Sequence, residues 1–418
     1  MPGDGRLTDD KAAREELRAW LGEHWDPELS LLEWRRRLAD ARWACPTWPE
    51  RWFGRAWPAS MASVITDELE RVGAPVLPEG VGMMLAAPTI LEHGSDEIRD
   101  RLLPPTVTGE AWWCQLFSEP GAGSDLAGLT THATLDGDTW IVTGQKVWNT
   151  SADHADYGLL LARTDWDAPK HRGITCFALP MRQPGVDVRP LRQMNGHASF
   201  NEVFLDDARA PAANVIGAIG GGWTVALTTL AHERRLAAHR SRLPNVERPG
   251  RAVREAAAEH AIASAPYTWY PQRAGRPDLL VEHASKAGRS ADPIVRQAIA
   301  RTLSRVKVAK WTAARALAAR ALGRPPGPEG SIGKLASSAI ARAAAHTHAL
   351  IAGADAMTTG DGSPFDGVIA EILVSVPAIS IAGGTDEIQH NILAERVLGL
   401  PREPDPSRGD AFRAVRRN

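Results

Sequence analysis

The hydrophobic periodicity of this 418-residue chain changes twice from one end to the other. The first part carries apolar side chains at three- and four-residue spacing, as in Met61–Val72 and Glu79–His93, which predicts helices. The middle part switches to short apolar runs broken by turns, which predicts strands, and helical spacing then returns. This order predicts an α+β, mainly α fold with three domains and a tail, at residues 1–110 (helical), 111–218 (antiparallel β), 219–400 (helical bundle) and 401–418 (tail).

The middle part contains a strong hairpin signal. Asp136-Gly137 separates His132–Leu135 from Trp140–Val142, and Asp-Gly is a dipeptide that tight hairpin turns favour. No helix of useful length fits between the apolar runs of this part, so we expect a compact antiparallel β domain. The other runs that predict strands are Ala111–Phe117, Tyr157–Ala162, Gly173–Leu179 and Phe200–Leu205.

The C-terminal part predicts long helices. Asp292-Pro293 is a suitable N-cap followed by a proline at the first helical position, and we expect this helix to run to Gly323. A further stretch at 240–289 is marked by prolines, and the sequence leaves open whether it covers a pocket, widens it or faces another subunit. The predicted buried stripe of the first long helix is Ile294, Ala298, Ile299, Leu303 and Val306, and the next helices are predicted at Ser331–Ile351 and Val368–Val376.

Composition excludes several classes of protein. With 48 basic and 50 acidic residues the net charge is −2, so no basic surface is expected for nucleic acid. The three cysteines are isolated and form no metal-ligand spacing, which favours a reducing, cytoplasmic location and no metal site. The longest apolar stretch, near Gly367–Gly384, is interrupted by Glu371 and Pro377, so we expect no membrane span. The charged N-terminus is not expected to be a signal peptide.

Two neighbouring motifs have the chemistry of a cofactor site. Phe117–Asp125 reads FSEPGAGSD, in which Gly121 and Gly123 allow backbone N–H groups to turn outward beside serine hydroxyls. Such a loop can hold a phosphate or the polar edge of a heteroaromatic ring, although a Gly-rich turn alone is usually only a turn. One hairpin later, Gly144–Thr150 reads GQKVWNT and adds the large aromatic surface of Trp148.

These motifs, in this order, resemble the acyl-CoA dehydrogenase flavoprotein family. The resemblance extends to FNEVFLDDARAPAANVIG before GGGW and to GGTDEIQHNILAERVLG near the C-terminus. It implies a helical domain, a β domain and a four-helix-type C-terminal domain with FAD between them. By position it implies that FAD is contacted by Phe117, Ser118, Gly123, Ser124, Trp148, Thr150, Thr385 and Gln389.

The resemblance also implies the reaction, in which a carboxylate removes the α proton of an acyl-CoA thioester while hydride moves from Cβ to flavin N5. In many members that base directly precedes the Gly-Thr of the C-terminal motif, and Gly383 stands there in this chain. A subset of the family places it on the first C-terminal helix before an arginine, which matches Glu233-Arg234. A glutamate on a helix is usually only solvated, but the vacated position favours Glu233 as the base. Arg234 and Gly383 are the predicted neighbours of the substrate.

Two segments that homotetrameric members donate to a neighbour's FAD are absent. Trp269–Ala274 lacks the arginine closely followed by Phe-Gly, and His348–Ala354 lacks the glutamine before Gly-Gly. The resemblance therefore implies a second dehydrogenase-like subunit in an α2β2 assembly, with electron-transfer flavoprotein as the acceptor. A related flavin monooxygenase and a non-catalytic partner subunit remain as alternatives. The sequence leaves open the acyl group, whether steroid side chain, branched or long chain, and its carrier, CoA or acyl-carrier protein.

Overall fold

The computed structural model describes residues 4–236, 250–322, 327, 329–404, 406–407 and 409–415. Contacts within the chain divide it into two compact units. The first contains the described residues of 1–191, 200–265 and 408–418, and the second contains those of 192–199 and 266–407.

The first unit begins with five helices around a tryptophan-rich core. They are α1 (Asp4–His24), α2 (Leu31–Asp40), α3 (Met61–Val72), α4 (Ala87–His93) and α5 (Asp96–Thr108). Trp34 and Trp43 are fully buried together with leucines of α1 to α3. The α3 bounds confirm the predicted helix, whereas the segment predicted over 79–93 starts as a π-helical turn at Gly82–Ala86 before α4. Such a turn puts one extra residue into the helical ladder.

An eight-stranded sheet follows, in the order β6-β7-β3-β2-β4-β5-β8 with β1 beside β4. Most pairs are antiparallel, as predicted, but β1 runs parallel to β4. The hairpin is confirmed with its turn one residue further on, since Asp136 pairs with Thr139. The strands are β1 (Trp113–Leu116), β2 (His132–Asp136), β3 (Thr139–Asn149), β4 (Tyr157–Arg163), β5 (Ile174–Pro180), β6 (Val186–Leu191), β7 (Phe200–Pro211) and β8 (Val215–Ile216).

Two helices after the sheet also belong to the first unit. The helix α6 (Gly222–Leu236) packs on β5 and α4, and α7 (Arg251–Ser264) packs on α2. Glu259 on α7 accepts two bonds from Arg35 on α2, of 2.6 and 2.8 Å, and Arg35 is 3% exposed. Glu255 accepts the backbone N–H of Leu31 at 2.7 Å. This part of the 240–289 stretch therefore joins the N-terminal helices, while its residues 240–249 lie outside the described part.

The second unit is helical. Its helices are α8 (Tyr270–Arg273), α9 (Leu280–Lys286), α10 (Pro293–Ala321), α11 (Glu329–Ala352), α12 (Val368–Ser375), α13 (Pro377–Ile381) and α14 (Asp386–Arg396). Asp292 Oδ1 accepts the N–H groups of Ile294 and Val295, which confirms the predicted N-cap of α10. The long helix α11 packs against α9, α10, α12, α13 and α14, so it forms the centre of this unit.

The predicted buried stripe of α10 is wrong at two positions. Ile294 is 66% exposed and Leu303 is 39% exposed, whereas Val295 and Thr302 are buried. Thr302 Oγ1 lies 3.3 Å from Thr347 Oγ1 of α11. The face of α10 that packs on α11 is therefore shifted by about one residue from the predicted stripe. The helix is rich in alanine and offers two apolar faces, and packing on α11 selects one of them. The predicted end at Gly323 lies outside the described residues.

Within the described residues, Pro364–Arg396 is long and apolar enough by composition to cross a membrane, and 28% of its most apolar window is buried. Length and composition alone would allow a span here, but a buried core helix can have the same length and composition. The backbone is nevertheless broken: α12 has 8 residues and α13 has 5, whereas a spanning helix needs about 20. Gly383 and Gly384, with φ of 68° and 84°, then separate α13 from α14.

Candidate active site

The Gly-rich loop after β1 has an open side. Glu119 and Ala122 exchange backbone hydrogen bonds of 3.0 and 3.1 Å, which fold the loop back on itself. Gly121, Gly123 and Ser124 are exposed, and a Cβ built on either glycine would meet none of the described atoms within 4 Å. This side of the loop therefore has room for a ligand beside free backbone and hydroxyl groups.

A buried ion pair fixes the position of the Gly-rich loop. Lys146 Nζ on β3 donates to Glu119 Oε1 at 2.9 Å and to the Phe117 carbonyl at 3.0 Å. The Lys146 and Glu119 side chains are 0% and 5% exposed. Glu119 also accepts the backbone N–H groups of Thr130 and Thr131, at 2.7 and 2.9 Å. One carboxylate thus joins the start of the loop, its end and the neighbouring strand.

Burial opposes the charge on both members of this pair. It alone would raise the pKa of Glu119, but Lys146 and the bonds from Thr130 and Thr131 outweigh burial and lower that pKa to about 2. For Lys146 burial outweighs the attraction of Glu119, so the pKa of its ammonium is lowered. The desolvation of the two charges offsets much of their mutual attraction, so the net stability that such a pair adds is smaller than the cost of losing one of its members.

Trp148 lies near the end of β3, two residues after Lys146. Val147 N donates to the Ser118 carbonyl at 2.9 Å, so the strand places Trp148 next to the loop. Trp148 has a φ of 64° and is 56% exposed, and its ring meets the edge of Phe200 at a centroid distance of 5.7 Å. A non-glycine residue with a left-handed backbone is uncommon, and such residues cluster at ligand-binding sites. Thr150 lies two residues further, in the turn after the strand, and is half-buried.

Glu233 lies on the last described turn of α6 and is half-buried. Val225 and Ala226 of the same helix are buried in one core with Phe117 and Ala122. The helix is further fixed by a 2.9 Å hydrogen bond between Thr229 and Thr89 of α4. The structure thus brings the helix of the predicted base into the core that supports the Gly-rich loop. The side chain of Arg234 lies outside the described part, and the roles of both residues stay predictions.

The remaining predicted cofactor residues lie in the second unit, at the start of α14. Thr385 Oγ1 caps the helix by accepting the N–H of Ile388 at 3.3 Å. Gln389 Nε2 donates to the carbonyls of Gly383 and Gly384, both at 3.3 Å. Its Oε1 is buried and has no hydrogen-bond partner among the described residues. Such an orphaned acceptor is expected where a ligand supplies the donor.

Asp386 anchors this segment. Its carboxylate accepts bonds of 2.7 Å from Lys334, 2.7 Å from Arg342 and 2.8 Å from Ser338, all on α11. Burial would raise the pKa of Asp386, but Lys334, Arg342 and Ser338 together lower it well below its usual range. The side chain is 7% exposed, so the start of α14 is held tightly to α11.

Gly383, the vacated base position, has space but an unfavourable backbone. A Cβ there would meet no described atom within 4 Å, yet φ is 68°. A non-glycine residue in this left-handed region costs roughly 1–2 kcal/mol. A glutamate introduced at Gly383 would therefore fit sterically but strain the loop.

The two positions that lack the donor motifs are occupied by side chains with internal partners. Gln272 Nε2 donates to Glu371 Oε2 at 3.2 Å, and Glu371 Oε1 also lies 2.9 Å from His197 Nε2. His348 is fully buried, and its Nδ1 lies 2.9 Å from His283 Nδ1. Burial and the neighbouring His348 lower the pKa of His283 to about 4. These segments therefore contribute to the core of the second unit.

The residues present fit FAD. In the first unit, the exposed Gly-rich loop offers donors for a pyrophosphate and Trp148 offers an open aromatic face. In the second unit, taken by itself, Gln389 keeps a buried acceptor that has no hydrogen-bond partner among the described residues. Sequence reasoning missed the supports beneath these groups. Glu119 and Lys146 lie inside the FSEPGAGSD and GQKVWNT motifs, and the signal that could have revealed their pairing is a lysine within an otherwise apolar strand. No metal-ligand cluster of His, Cys, Asp or Glu occurs among the described residues.

Comparison with known proteins decides the family. Models of the acyl-CoA dehydrogenase N-terminal, middle and C-terminal domains match residues 8–110, 114–208 and 278–398. The chain belongs to the acyl-CoA dehydrogenase family. It is accordingly an oxidoreductase of the acyl-CoA dehydrogenase type, and this family is generally FAD-dependent.

Individual acyl-CoA dehydrogenases match most of the chain. IpdE1 of Mycobacterium tuberculosis is 34% identical over 95% of this chain and 99% of its own length. FadE34 of the same organism is 38% identical over 87% of this chain, which corresponds to 46% of FadE34.

Two solved structures extend the comparison. The ChsE4-ChsE5 complex from M. tuberculosis has a TM-score of 0.62 at 26% identity, with 94% of this chain and 98% of that chain covered. The Tcur3481-Tcur3483 steroid acyl-CoA dehydrogenase has a TM-score of 0.64 at 25% identity, with 95% and 98% covered.

Proposed function

We propose that this chain catalyses the α,β-dehydrogenation of an acyl-CoA thioester with Glu233 as the base. The observation that carries the proposal is the place of α6, whose buried face shares one core with Phe117 of the Gly-rich loop. Gly383 leaves the alternative base position without a carboxylate. A base at either location serves if it reaches the same α carbon, because geometry at that atom decides the rate.

The chain's own residues have three tasks in this reaction. Glu233 takes the proton from the α carbon, for which its carboxylate must lie within hydrogen-bond reach and be shielded from water. In the first unit, the Gly-rich loop with Ser118 and Ser124 would bind the cofactor and orient it. In the second unit, the segment with Thr385 and Gln389 would also contact a bound cofactor. FAD, when bound there, supplies the acceptor for the hydride that leaves Cβ.

Glu233→Gln tests the base. Measured in the flavin-containing complex with the related subunit, the variant should keep its flavin and fold and lose at least about 100-fold in anaerobic flavin reduction by acyl-CoA, because general base catalysis contributes on the order of 10²–10⁴. Glu92→Gln is the matched control, a carboxylate on the neighbouring helix α4 that is 57% exposed. Near-normal reduction by Glu233→Gln would show that the base lies elsewhere.

Trp148→Ala tests the cofactor site. Loss of the exposed indole should lower FAD affinity more than acyl-CoA affinity, since the ring is proposed to cover the flavin and exclude water. Leu135→Ala is the control, an apolar residue of β2 that is 48% exposed. Equal flavin content of both variants after dialysis would remove Trp148 from the site.

A flavin monooxygenase derived from this family is the second candidate, and Gly383 favours it because oxygen chemistry needs no base at that position. The same anaerobic experiment separates the candidates. Bleaching of the yellow protein by acyl-CoA supports the dehydrogenase, and reduction by NAD(P)H or a reductase alone supports the monooxygenase. A protein that binds no flavin even with its partner would be a non-catalytic subunit.

For the substrate we propose a CoA thioester of a steroid side chain, with branched and long-chain acyl groups as the competitors. Support comes from the similarity to a protein described as a steroid acyl-CoA dehydrogenase, at 25% identity over nearly the whole chain. A panel of short, branched, long and steroidal CoA thioesters with an artificial electron acceptor tests this. Highest kcat/KM on a short linear thioester would contradict it. Repeating the best acyl group on an acyl-carrier protein tests the carrier.

We also propose an α2β2 assembly with a second dehydrogenase-like subunit and electron transfer to electron-transfer flavoprotein. The two donor segments are engaged inside their own unit, as Gln272 and His348 show. On α10, Val308, Trp311 and Leu317 are 56%, 64% and 63% exposed, which is an apolar surface of the kind that subunit interfaces cover. Similar solved structures are complexes of two such chains, ChsE4-ChsE5 and Tcur3481-Tcur3483.

Expression with and without the related subunit tests the assembly. The chain alone should purify with little flavin or poor solubility, and co-expression should restore the yellow colour. A homotetramer of this chain with one tightly bound FAD per subunit and full activity would overturn the proposal. Trp311→Glu, which places a charge on the exposed face of α10, should weaken the mixed complex.

A cytoplasmic location completes the proposal. Cys45, Cys114 and Cys176 are all buried free thiols in the structure. Burial raises the pKa of each thiol, so none is poised to react. Cell fractionation of the producing organism checks the location.

A further inference from the structure

The end of the chain returns to the β domain of the first unit. The N–H groups of Phe412 and Arg413 donate to the carbonyls of Ala168 and Trp166, at 3.1 and 3.0 Å. Phe412 is only 1% exposed. This contact lies beyond residue 398, where the match to the family's C-terminal domain ends. The last described residues, 409–415, therefore form a docked strap.

Phe412 is buried against a cation. Its ring centroid lies 3.4 Å from the guanidinium carbon of Arg163, which is the last residue of β4 and is fully buried. The ring of Trp166 lies 5.6 Å from that of Phe412. An aromatic face at this distance attracts a guanidinium, and the attraction is strongest where water is excluded.

Arg163 in turn holds the segment that follows the Gly-rich loop. Its Nη2 donates to the Ala127 carbonyl at 2.7 Å and its Nε donates to the Leu129 carbonyl at 3.3 Å. Its Nη1 donates to the Lys170 carbonyl at 3.3 Å, and Lys170 Nζ binds Asp125 at 2.5 Å. Arg163 is thus connected directly to the backbone that follows the loop, and through Lys170 to the side chain of Asp125, the last residue of the loop.

We infer that Phe412 is a positioning residue for the cofactor loop: it fixes Arg163, and Arg163 fixes the backbone from Asp125 to Leu129. The inference rests on the proposed function, in which Ser124 of this loop meets the FAD pyrophosphate. Without the ring, one face of the buried guanidinium opens to a void or to water. The carbonyls that Arg163 holds are then less constrained, and the loop no longer presents its donors in one conformation.

The experiment compares three full-length variants in the oligomeric form in which the protein purifies. Phe412→Ala removes the ring, Phe412→Leu keeps apolar volume without the aromatic face, and Arg413→Ala removes a neighbouring ion pair whose members are 60% and 70% exposed. The readouts are the Kd for FAD from titration of the apoprotein and the hydrogen exchange of backbone amides in 121–131.

We expect Phe412→Ala to weaken FAD binding by about tenfold, which corresponds to roughly 1.4 kcal/mol, and to speed exchange in 121–131. Phe412→Leu should lie between Phe412→Ala and the parent, and Arg413→Ala should stay within about twofold of the parent because exposed ion pairs contribute little. Should Phe412→Ala fail to fold, Phe412→Leu carries the test.

Unchanged exchange in 121–131 for the phenylalanine variants would overturn the inference, whatever happens to FAD. If the parent complex binds no FAD while Phe412→Ala still speeds exchange, the proposed function is wrong but the positioning role of Phe412 is supported. If the parent binds FAD and both phenylalanine variants equal Arg413→Ala in FAD affinity and in hydrogen exchange, Phe412 has no positioning role and the proposed function is unaffected.

Discussion

Two carboxylates, Glu119 in the first unit and Asp386 in the second, hold the two groups of predicted cofactor residues, and their surroundings differ. The partner of Glu119, Lys146, is 0% exposed. The partners of Asp386 reach toward solvent, since the Lys334 and Arg342 side chains are 17% and 55% exposed. Glu119 is paired with one cation that is shielded from water. Asp386 is paired with two cations that are partly exposed to solvent.

This difference determines whether water can solvate the cations when the carboxylate is neutralised. If Glu119 is neutralised, the ammonium of Lys146 stays in a place that water does not reach, and its desolvation is not offset. If Asp386 is neutralised, Arg342 is already largely hydrated and Lys334 is near the surface. The dry pair should therefore be intolerant of single substitutions, and the solvent-edge cluster should tolerate them. We therefore expect the Gly-rich loop to be more sensitive to the loss of its supporting carboxylate than the segment before α14.

Glu119→Gln should have the largest effect. Removing one member of a buried pair costs about 3–5 kcal/mol of unfolding free energy, and we expect the variant to lose that amount in urea denaturation and to retain little flavin. A loss below about 1 kcal/mol would mean that water reaches Lys146 and that the two carboxylates do not differ in the hydration of their partners.

The double variant Glu119→Gln/Lys146→Met is its control. A methionine fills a similar volume without charge, and apolar replacement of a whole buried pair is often neutral. The double variant should therefore recover part of the stability that Glu119→Gln loses. Its flavin affinity should stay low, because the bond from Lys146 to the Phe117 carbonyl is also gone.

The pH dependence should come next in size. The pKa of Glu119 falls from 4.5 to about 2 in the folded protein, so its contribution is complete above pH 4.5 and is lost as the pH falls toward 2. With about 1.4 kcal/mol per pKa unit, the loss is on the order of 3 kcal/mol. The check is the unfolding free energy of the parent and of Glu119→Gln between pH 5 and pH 2, a range that includes both pKa values. Parallel curves would show that Glu119 is not the titrating support.

Asp386→Asn should cost less, about 1–2 kcal/mol. The amide can still accept a bond from Ser338, and the freed cations gain water in exchange. Denaturation at low and high salt measures this, and the cost should shrink at high salt because exposed charges are screened. A cost larger than that of Glu119→Gln would invert the ranking of the two supports.

The sequence located the elements better than it located their contacts. The bounds of α3, the hairpin of β2 and β3 and the cap at Asp292 follow local rules of period, turn and cap, and local rules can be read from the chain. The pairing of Glu119 with Lys146 depends on how β3 aligns with the loop, and no spacing rule supplies that alignment. The parallel pair of β1 and β4 escaped prediction for the same reason.

The site shows the same division. Its motifs were visible, since Ser118, Trp148 and Gln389 belong to recognisable segments, but the groups that hold them were not. Lys334 and Arg342 lie 52 and 44 residues before Asp386, and nothing in α11 marks them as its partners. Phe412 stands in a short tail without periodicity, so only the folded chain reveals its contact with Arg163.

Arg342→Ala should have the smallest effect on the unfolding free energy among these substitutions. Arg342 is 55% exposed, and Asp386 keeps Lys334 and Ser338 as partners when Arg342 is lost. Exposed ion pairs contribute about 0–1 kcal/mol, so the variant should unfold within about 1 kcal/mol of the parent and retain its flavin. A loss of 3 kcal/mol or more, on the scale of a buried pair, would mean that Arg342 is covered in the protein as it occurs in solution. The Arg342 side chain is exposed to solvent in the single chain. Such a large loss would therefore indicate that a subunit contact covers it, so that Asp386, like Glu119, would be paired away from water.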